Sequence, residues 1–259
     1  MIIRFLGVGG GRFSTICQRG GTGGIYLEGS QKLHVDPGPG ALVAMRDFGI
    51  DPTGTDGVLI SHAHPDHYSD AEVLIEAMTR GGTVSKGVLI ASDSVLLGYD
   101  QYEPVLSSYH RSLPLTAKAV RPGDRCAIGN TAVQATSADH SDPTTVGFKM
   151  DTEEGVISYV SDTAFIPQLA VEHDGARVLI LAVMRPLGAR IPYHLSTEDA
   201  AKIVASIQPE LTIITHFGMR MWEEGPERQA DWIVRESGAR TIAAHYGMRV
   251  RLDDRIELM

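Results

Sequence analysis

Cysteine is nearly absent: Cys17 and Cys126 are the only two in 259 residues. They lie far apart, so neither a disulfide framework nor a CxxC zinc site can be built from them. Basic charge is also short. Twenty-three Lys and Arg stand against thirty-two Asp and Glu, a net charge of −9. That balance argues against broad nucleic-acid binding, which needs a basic face. A small anionic substrate is still compatible, because divalent cations can supply positive charge locally. No apolar run is long enough to span a bilayer, and Met1 leads into the strand-like Ile2 to Leu6 without the layout of a signal peptide. A soluble cytoplasmic protein with no membrane contact is expected. No Pro/Gly/Ser-rich linker or charge block divides the chain, so residues 1–259 read as one domain, and 43% apolar residues supply an ordinary core.

The glycines between Gly7 and Gly24 match neither nucleotide fingerprint: no GxGxxG opens a helix and no GK[ST] follows. They read as turns near a site, with Arg12 and Arg19 as solvated or anion-facing arginines. Strand patterns cover Ile2 to Leu6, Gly24 to Leu27, Lys32 to Val35, Val58 to Ile60 and Gly87 to Ala91. They resume at Ala117 to Val120, Cys126 to Ile128, Thr131 to Ala135, Thr145 to Met150 and Val156 to Val160. Further strands are expected at Val178 to Ala182, Leu211 to Thr215, Thr241 to Ala243 and Met248 to Leu252. Helices are expected over Ala41 to Phe48, Ala71 to Arg80 (capped by Asp70), Phe165 to Val171, Thr197 to Ile207 and Gly225 to Glu236. Residues Ser92 to Leu115 are the least regular and read equally as a lid or a surface excursion. Both halves carry strands followed by helices, which fits an α+β fold of two mixed sheets packed face to face with helices outside.

The densest chemistry lies in Ser61-His62-Ala63-His64-Pro65-Asp66-His67, directly after the buried strand Val58-Leu59-Ile60. Three of only ten histidines and a carboxylate crowd there. Imidazole nitrogen and carboxylate oxygen are preferred ligands of first-row transition metals. Four more such residues stand at element ends: His140, Asp162 and His216 after strands, and His194 ahead of a helix. Together they indicate one site. His34 lies inside a strand, and His110 and His173 in polar segments, so they are set aside. His245 reads as core or as a support behind the ligands.

With these residues in hand, the chain resembles the metallo-β-lactamase-fold superfamily. The carriers are HxHxDH at His62, His64, Asp66 and His67, then His140, Ser161-Asp162-Thr163 and Thr215-His216-Phe217. The resemblance implies an αββα sandwich of two mixed β-sheets flanked by helices, with a dinuclear site. His62, His64 and His140 would bind one metal, and Asp66, His67 and His216 the second, with Asp162 bridging. Zinc is the expected metal, with manganese and iron compatible. Asp36, in Val35-Asp36-Pro37-Gly38, looks like the family's early Asp that orients the site from behind the ligands.

Within the superfamily the ligand set and His194 are similar to the phosphodiesterase branch, both phosphoribosyl cyclic phosphodiesterases and tRNase Z. In tRNase Z a histidine opening the matching helix is taken as the acid on the leaving group, a role that maps onto His194. The His-Glu-Ala-Thr motif of tRNase Z is missing at Val183-Met184-Arg185-Pro186, no Lys-rich arm is present, and only Cys17 stands where a cysteine cluster is common.

Chemistry supports hydrolysis independently: two close cations lower the pKa of a bridging water and neutralise a phosphate oxygen. Asp66 could orient that hydroxide, and His194 could protonate the departing alkoxide. Arg185 is a phosphate contact or a surface salt bridge. The expected function is a metal-dependent phosphodiesterase acting on a small or nucleotide-like anionic substrate. A lactone or thioester hydrolase, a tRNA 3′-processing endonuclease and a non-catalytic metal-binding protein are the alternatives, and a homodimer is compatible with the sequence.

Overall fold

Alternation along the strands decides which face of each sheet is dry against which layer. Val58 and Ile60 join one apolar cluster with Leu74, Ile75 and Met78, while Leu59 between them joins a second, larger one. Leu89 and Ala91 divide from Ile90 in the same way. Strands buried on both faces need cover on both sides, and a layered sandwich supplies it.

The computed structural model describes residues 1–259. One sheet runs in the spatial order β15 (Ile256–Leu258), β14 (Arg249–Leu252), β1 (Ile2–Gly7), β2 (Thr22–Glu28), β3 (Lys32–Val35), β4 (Gly57–Ile60), β5 (Val88–Ser92) and β6 (Thr116–Val120). The other runs β13 (Thr241–Ala243), β12 (Leu211–Thr215), β11 (Val178–Ala182), β10 (Gly155–Val160), β9 (Gly147–Thr152), β8 (Thr131–Thr136) and β7 (Arg125–Ile128). Both sheets are mixed. β3 through β6 are parallel, as are β10 through β13, and the remaining pairs are antiparallel. Leu59 and Ile90 meet Phe148, Ile157 and Ile180 in the large cluster between the sheets. Ala44, Met45 and Leu74, from helices Ala41–Asp47 and Ala71–Met78, close the outer face of the first sheet. Ile203, Val204 and Ile233, from helices Thr197–Ile207 and Pro226–Ser237, close that of the second. The expected αββα architecture is therefore observed. No helix is long and apolar enough to cross a membrane.

Several local expectations are corrected. A helix, Gly11–Cys17, lies inside the glycine-rich stretch; it buries only Ser14, so it has no apolar stripe to reveal it. Asp70 does not cap Ala71–Met78, because its carboxylate instead accepts the Leu42 amide at 3.1 Å. The expected helix at Phe165 is delayed by Pro167 and spans Gln168–Glu172. Short helices at Pro65–Tyr68, Asp93–Leu96, Ser108–Ser112 and Met219–Glu224, and the edge strand β15, were not legible.

Two histidines outside the site are packed into the fold. His34 Nε2 lies 2.7 Å from the Gly23 carbonyl, and His173 Nδ1 lies 2.6 Å from Ser158 Oγ. Burial pushes His34 down to about 4 and His173 down to about 3, from 6.5. The folded rings stay neutral while the unfolded chain takes up protons below 6.5. Their contribution is therefore intact above that pH and is lost as pH falls towards 4 and then 3. Each shift corresponds to roughly 3–5 kcal/mol. Urea midpoints from pH 8 to pH 4 (about the range of the titration) are expected to fall steeply, and His173→Gln is expected to flatten that fall.

Candidate metal centre

Strands running in one direction deliver their carboxyl ends to one rim of the sandwich. β3 ends ahead of Asp36, β4 ahead of Ser61 and His62, β10 ahead of Asp162 and β12 ahead of His216, while the loop after β8 carries His140. The chain then turns through Ala63 and His64 into helix Pro65–Tyr68, which carries Asp66 and His67. His194 precedes helix Thr197–Ile207, whose start is fixed by a reciprocal cap between Ser196 and Asp199. Asp36, Tyr193 and His216 adopt left-handed backbone, with φ of 51°, 65° and 62°. Such conformations in residues other than glycine cost energy and persist where surrounding contacts dictate them.

All eight residues named from the sequence converge. His62, His64 and His140 form one group of converging ligand atoms, Asp66, His67 and His216 another, and Asp162 joins His62 and His67 in a third. His62 Nε2 and His140 Nε2 lie 2.9 and 3.1 Å from His64 Nδ1. His67 Nε2 and His216 Nε2 are 3.2 Å apart, and Asp66 Oδ2 is 3.5 Å from the latter. Asp162 Oδ2 stands 3.7 Å from His67 Nε2, 3.8 Å from His140 Nε2 and 3.7 Å from His194 Nδ1. His194 also groups with His140 and Asp162.

The far side of each ring decides which nitrogen faces inward. Asp36 Oδ2 accepts from His67 Nδ1 at 2.8 Å, from Ser61 Oγ at 2.7 Å and from the Tyr159 hydroxyl at 2.9 Å, while Oδ1 accepts the Ser61 amide at 2.7 Å. Because Ser61 Oγ gives its proton to Asp36, it accepts from His62 Nδ1 at 2.9 Å. His140 Nδ1 donates to the Tyr193 carbonyl at 3.0 Å. A proton held at each Nδ1 turns Nε2 of His62, His67 and His140 towards the centre.

This donor set fits divalent cations. Imidazole nitrogens crowd within hydrogen-bond distance with too few protons to share, and the buried Asp162 Oδ1 and His216 Nδ1 face each other at 3.2 Å without hydrogen-bond geometry. Charge agrees. Burial opposes ionisation of Asp162, but His216 and His194 outweigh it and hold the carboxyl well below the usual range. Burial likewise opposes Asp66, and His67 with His216 prevails. Against burial, Asp66 and Asp36 hold His67 well above the ordinary imidazole value. Burial, with His67 and His140, drives His62 well below it. With Asp66 and Asp162 ionised, the centre thus retains a proton on His67 that a cation can replace.

Three supports were not legible. Asp142 accepts the Ala63 amide at 3.0 Å and Ser94 Oγ at 2.5 Å, which pins the turn between His62 and His64. Tyr159 looks like any strand residue, yet its hydroxyl reaches Asp36. Gly10 leaves space for His216, whose ring a Cβ would meet at 2.2 Å, and the Gly11 amide donates to Asp66 Oδ2 at 2.9 Å. Here the glycines serve close approach of backbone to site. His245 is exposed beyond β13 and supports nothing at the centre, contrary to expectation.

The centre opens into a cavity of about 840 Å³. His64, His140, Asp162 and His194 face it, and helix Gly11–Cys17 forms one wall. From Ser92 to Leu115 only Tyr102 reaches the centre, with its hydroxyl 3.5 Å from His64 Nε2, and none of that segment lines the cavity.

The family model for the beta-lactamase superfamily domain matches residues 31–217, a span that contains every candidate ligand. An uncharacterized protein of Methanocaldococcus jannaschii is 42% identical over 253 residues, covering 96% of this chain and 94% of its own. Ribonuclease Z of Mycobacterium sp. (strain KMS) is 23% identical over 248 residues, covering 86% and 85%. Among solved structures, the metallo-beta-lactamase fold protein YhfI from Bacillus subtilis matches with a TM-score of 0.78 at 18% identity, covering 96% of this chain and 98% of that one. A diphosphatase from the PhnP family matches with a TM-score of 0.68 at 16% identity, covering 97% and 98%. The chain belongs to the beta-lactamase superfamily domain family and has the metallo-β-lactamase fold.

Proposed function

We propose that the protein is a phosphodiesterase that holds two divalent ions, zinc by preference, and acts on a small or nucleotide-like phosphodiester. The observation that carries this reading is the placement of His194 beside a seven-residue ligand cluster at the floor of an open cavity. His62, His64 and His140 would hold one ion and Asp66, His67 and His216 the other, with Asp162 between them. Bound there, the two ions supply Lewis acidity, which acidifies water and offsets negative charge on a phosphate oxygen.

The chain's own groups do the rest. The Gly11 amide fixes one Asp66 oxygen and so sets the orientation of that carboxylate. Burial lowers His194 to about 4, with Asp162 opposing, so the ring is neutral in the free protein at neutral pH. An entering phosphodiester adds negative charge beside it and favours the imidazolium, the form that donates to a departing alkoxide. Resemblance to a Ribonuclease Z and to a diphosphatase supports a phosphate substrate. The acidic chain favours a small one over extended RNA.

Metal-loaded protein is expected to hydrolyse bis(p-nitrophenyl) phosphate, to lose that activity in chelator and to regain it with zinc or manganese. Metal analysis is expected to find two ions per chain. No turnover of the diester, with hydrolysis of a lactone or thioester instead, would replace this reading with an acyl hydrolase.

A further inference from the structure

We propose that Arg190 is the positioning residue for His194: its guanidinium clamps together the two stems of a strained turn and so holds the imidazole at the centre. This rests on the phosphodiesterase reading, in which His194 is the acid.

His194 closes a two-residue turn, Pro192-Tyr193, whose ends meet in a bridge between Ile191 and His194. Proline presets the first position of such a turn, and where the second takes positive φ it is usually glycine or asparagine. Here the second position is Tyr193, at φ 65°. A tyrosine leaves that conformation unless its surroundings forbid it. Packing does not forbid it. Ala189 and Leu195 are buried, but no residue from Arg190 to His194 is, and Tyr193 is 44% exposed.

What holds the tip is polar. Between Ala189 and Leu195, Arg190 is the only residue whose side chain hydrogen-bonds to the rest of the protein. Its Nε donates to Ser196 Oγ at 3.3 Å and its Nη2 to Asp199 Oδ1 at 2.5 Å. Ser196 and Asp199 form the reciprocal cap of helix Thr197–Ile207, with Ser196 Oγ donating to Asp199 Oδ2 at 2.8 Å. Ser196 lies on the outgoing stem, so the fork ties the incoming stem to it and both to the start of a helix. Both cap residues are buried, and a buried carboxylate needs its cation far more than an exposed one does. Lys202, the other cation at Asp199, stands at 3.7 Å.

The rest of the loop is secured without Arg190. The Arg185 amide donates to the Leu195 carbonyl at 3.2 Å and the Thr197 amide to the Arg185 carbonyl at 3.0 Å. The Leu187 amide donates to Gln229 and the Gly188 amide to Glu198. Only the tip depends on the clamp, and the tip carries two atoms that matter. His194 Nδ1 stands 3.7 Å from Asp162 Oδ2, and the Tyr193 carbonyl accepts from His140 Nδ1 at 3.0 Å. Without the clamp, Tyr193 relaxes to negative φ and both atoms move with it.

The test uses zinc-saturated protein and two diesters: bis(p-nitrophenyl) phosphate, and the dinucleotide thymidylyl-3′,5′-thymidine, whose leaving group is an alkoxide. Arg190→Met is expected to slow cleavage of the dinucleotide about 10–100-fold more than that of the nitrophenyl ester. Arg190→Lys keeps the charge beside Asp199 without the fork to Ser196, and is expected to fall between. Tyr193→Gly takes positive φ without strain, so adding it to Arg190→Met is expected to restore part of the loss. Carbon NMR of the imidazoles in chelator reads the same motion without turnover. The His194 ring signal is expected to move towards that of the exposed His245 in Arg190→Met and to return part of the way in the double variant. Equal slowing of both diesters by Arg190→Met, no slowing, or no recovery on adding Tyr193→Gly overturns the clamp. If the unaltered protein hydrolyses neither diester while the ring signal moves and returns as stated, the phosphodiesterase reading fails and the clamp survives.

Discussion

Replacing His194 with alanine is expected to leave metal content unchanged and to slow cleavage of a diester with an alkoxide leaving group about 10²–10⁴-fold. The magnitude follows from what an alkoxide needs. It is strongly basic and departs poorly unless a proton arrives as the bond breaks. p-Nitrophenolate needs no such help, so the same variant is expected to lose far less activity on bis(p-nitrophenyl) phosphate. This contrast separates two roles that the geometry allows. His194 converges with His140 and Asp162 as well as facing the cavity, so it could act as a ligand instead of an acid. A ligand's loss would lower metal content and slow both substrates together. Metal analysis of the variant, with both leaving groups assayed side by side, decides between them.

The candidate ligands could be named because most stand just past the point where an apolar run gives way to polar residues. Val58-Leu59-Ile60 leads to His62, and Leu211-Thr212-Ile213-Ile214-Thr215 leads to His216. A buried strand needs unbroken apolar residues, so its end is visible in one dimension. The contacts that aim the ligands leave no comparable trace. Asp142 follows His140 in a plain turn, and nothing local links it to Ala63, 79 positions earlier in the chain. Tyr159 fits the strand pattern of its neighbours, while its link to Asp36 joins two sheets. Helix Gly11–Cys17 turns Phe13 and Ile16 outward and buries a serine, the reverse of the pattern by which a helix is recognised. The cavity wall therefore escaped the sequence, while the residue types of a candidate metal site did not. A ligand type is a property of a residue, but a wall is a property of packing.

Asp36 is the position where the smallest chemical change is expected to have the widest consequence. Asparagine tolerates the left-handed backbone found there, so Asp36→Asn keeps the turn and alters only hydrogen bonding. Its remaining oxygen can still accept the Ser61 amide, which places an amino group where Oδ2 now receives three donors. Ser61 and Tyr159 can rotate their hydroxyls to accept from it. His67 can accept only by baring Nδ1, which leaves the ring neutral with its single proton held on Nε2, the nitrogen that faces His216. A proton there occupies the position a cation requires. Metal affinity is expected to fall about 10–100-fold, with nitrogen NMR of the imidazoles reporting the exchanged tautomer. Asp36→Ala goes further. It leaves the buried His67 without its acceptor and is expected to cost roughly 3–5 kcal/mol of stability in the metal-free protein. Unfolding by urea in chelator measures that loss. If both variants bind metal as the parent does, Asp36 fills space and does not aim His67.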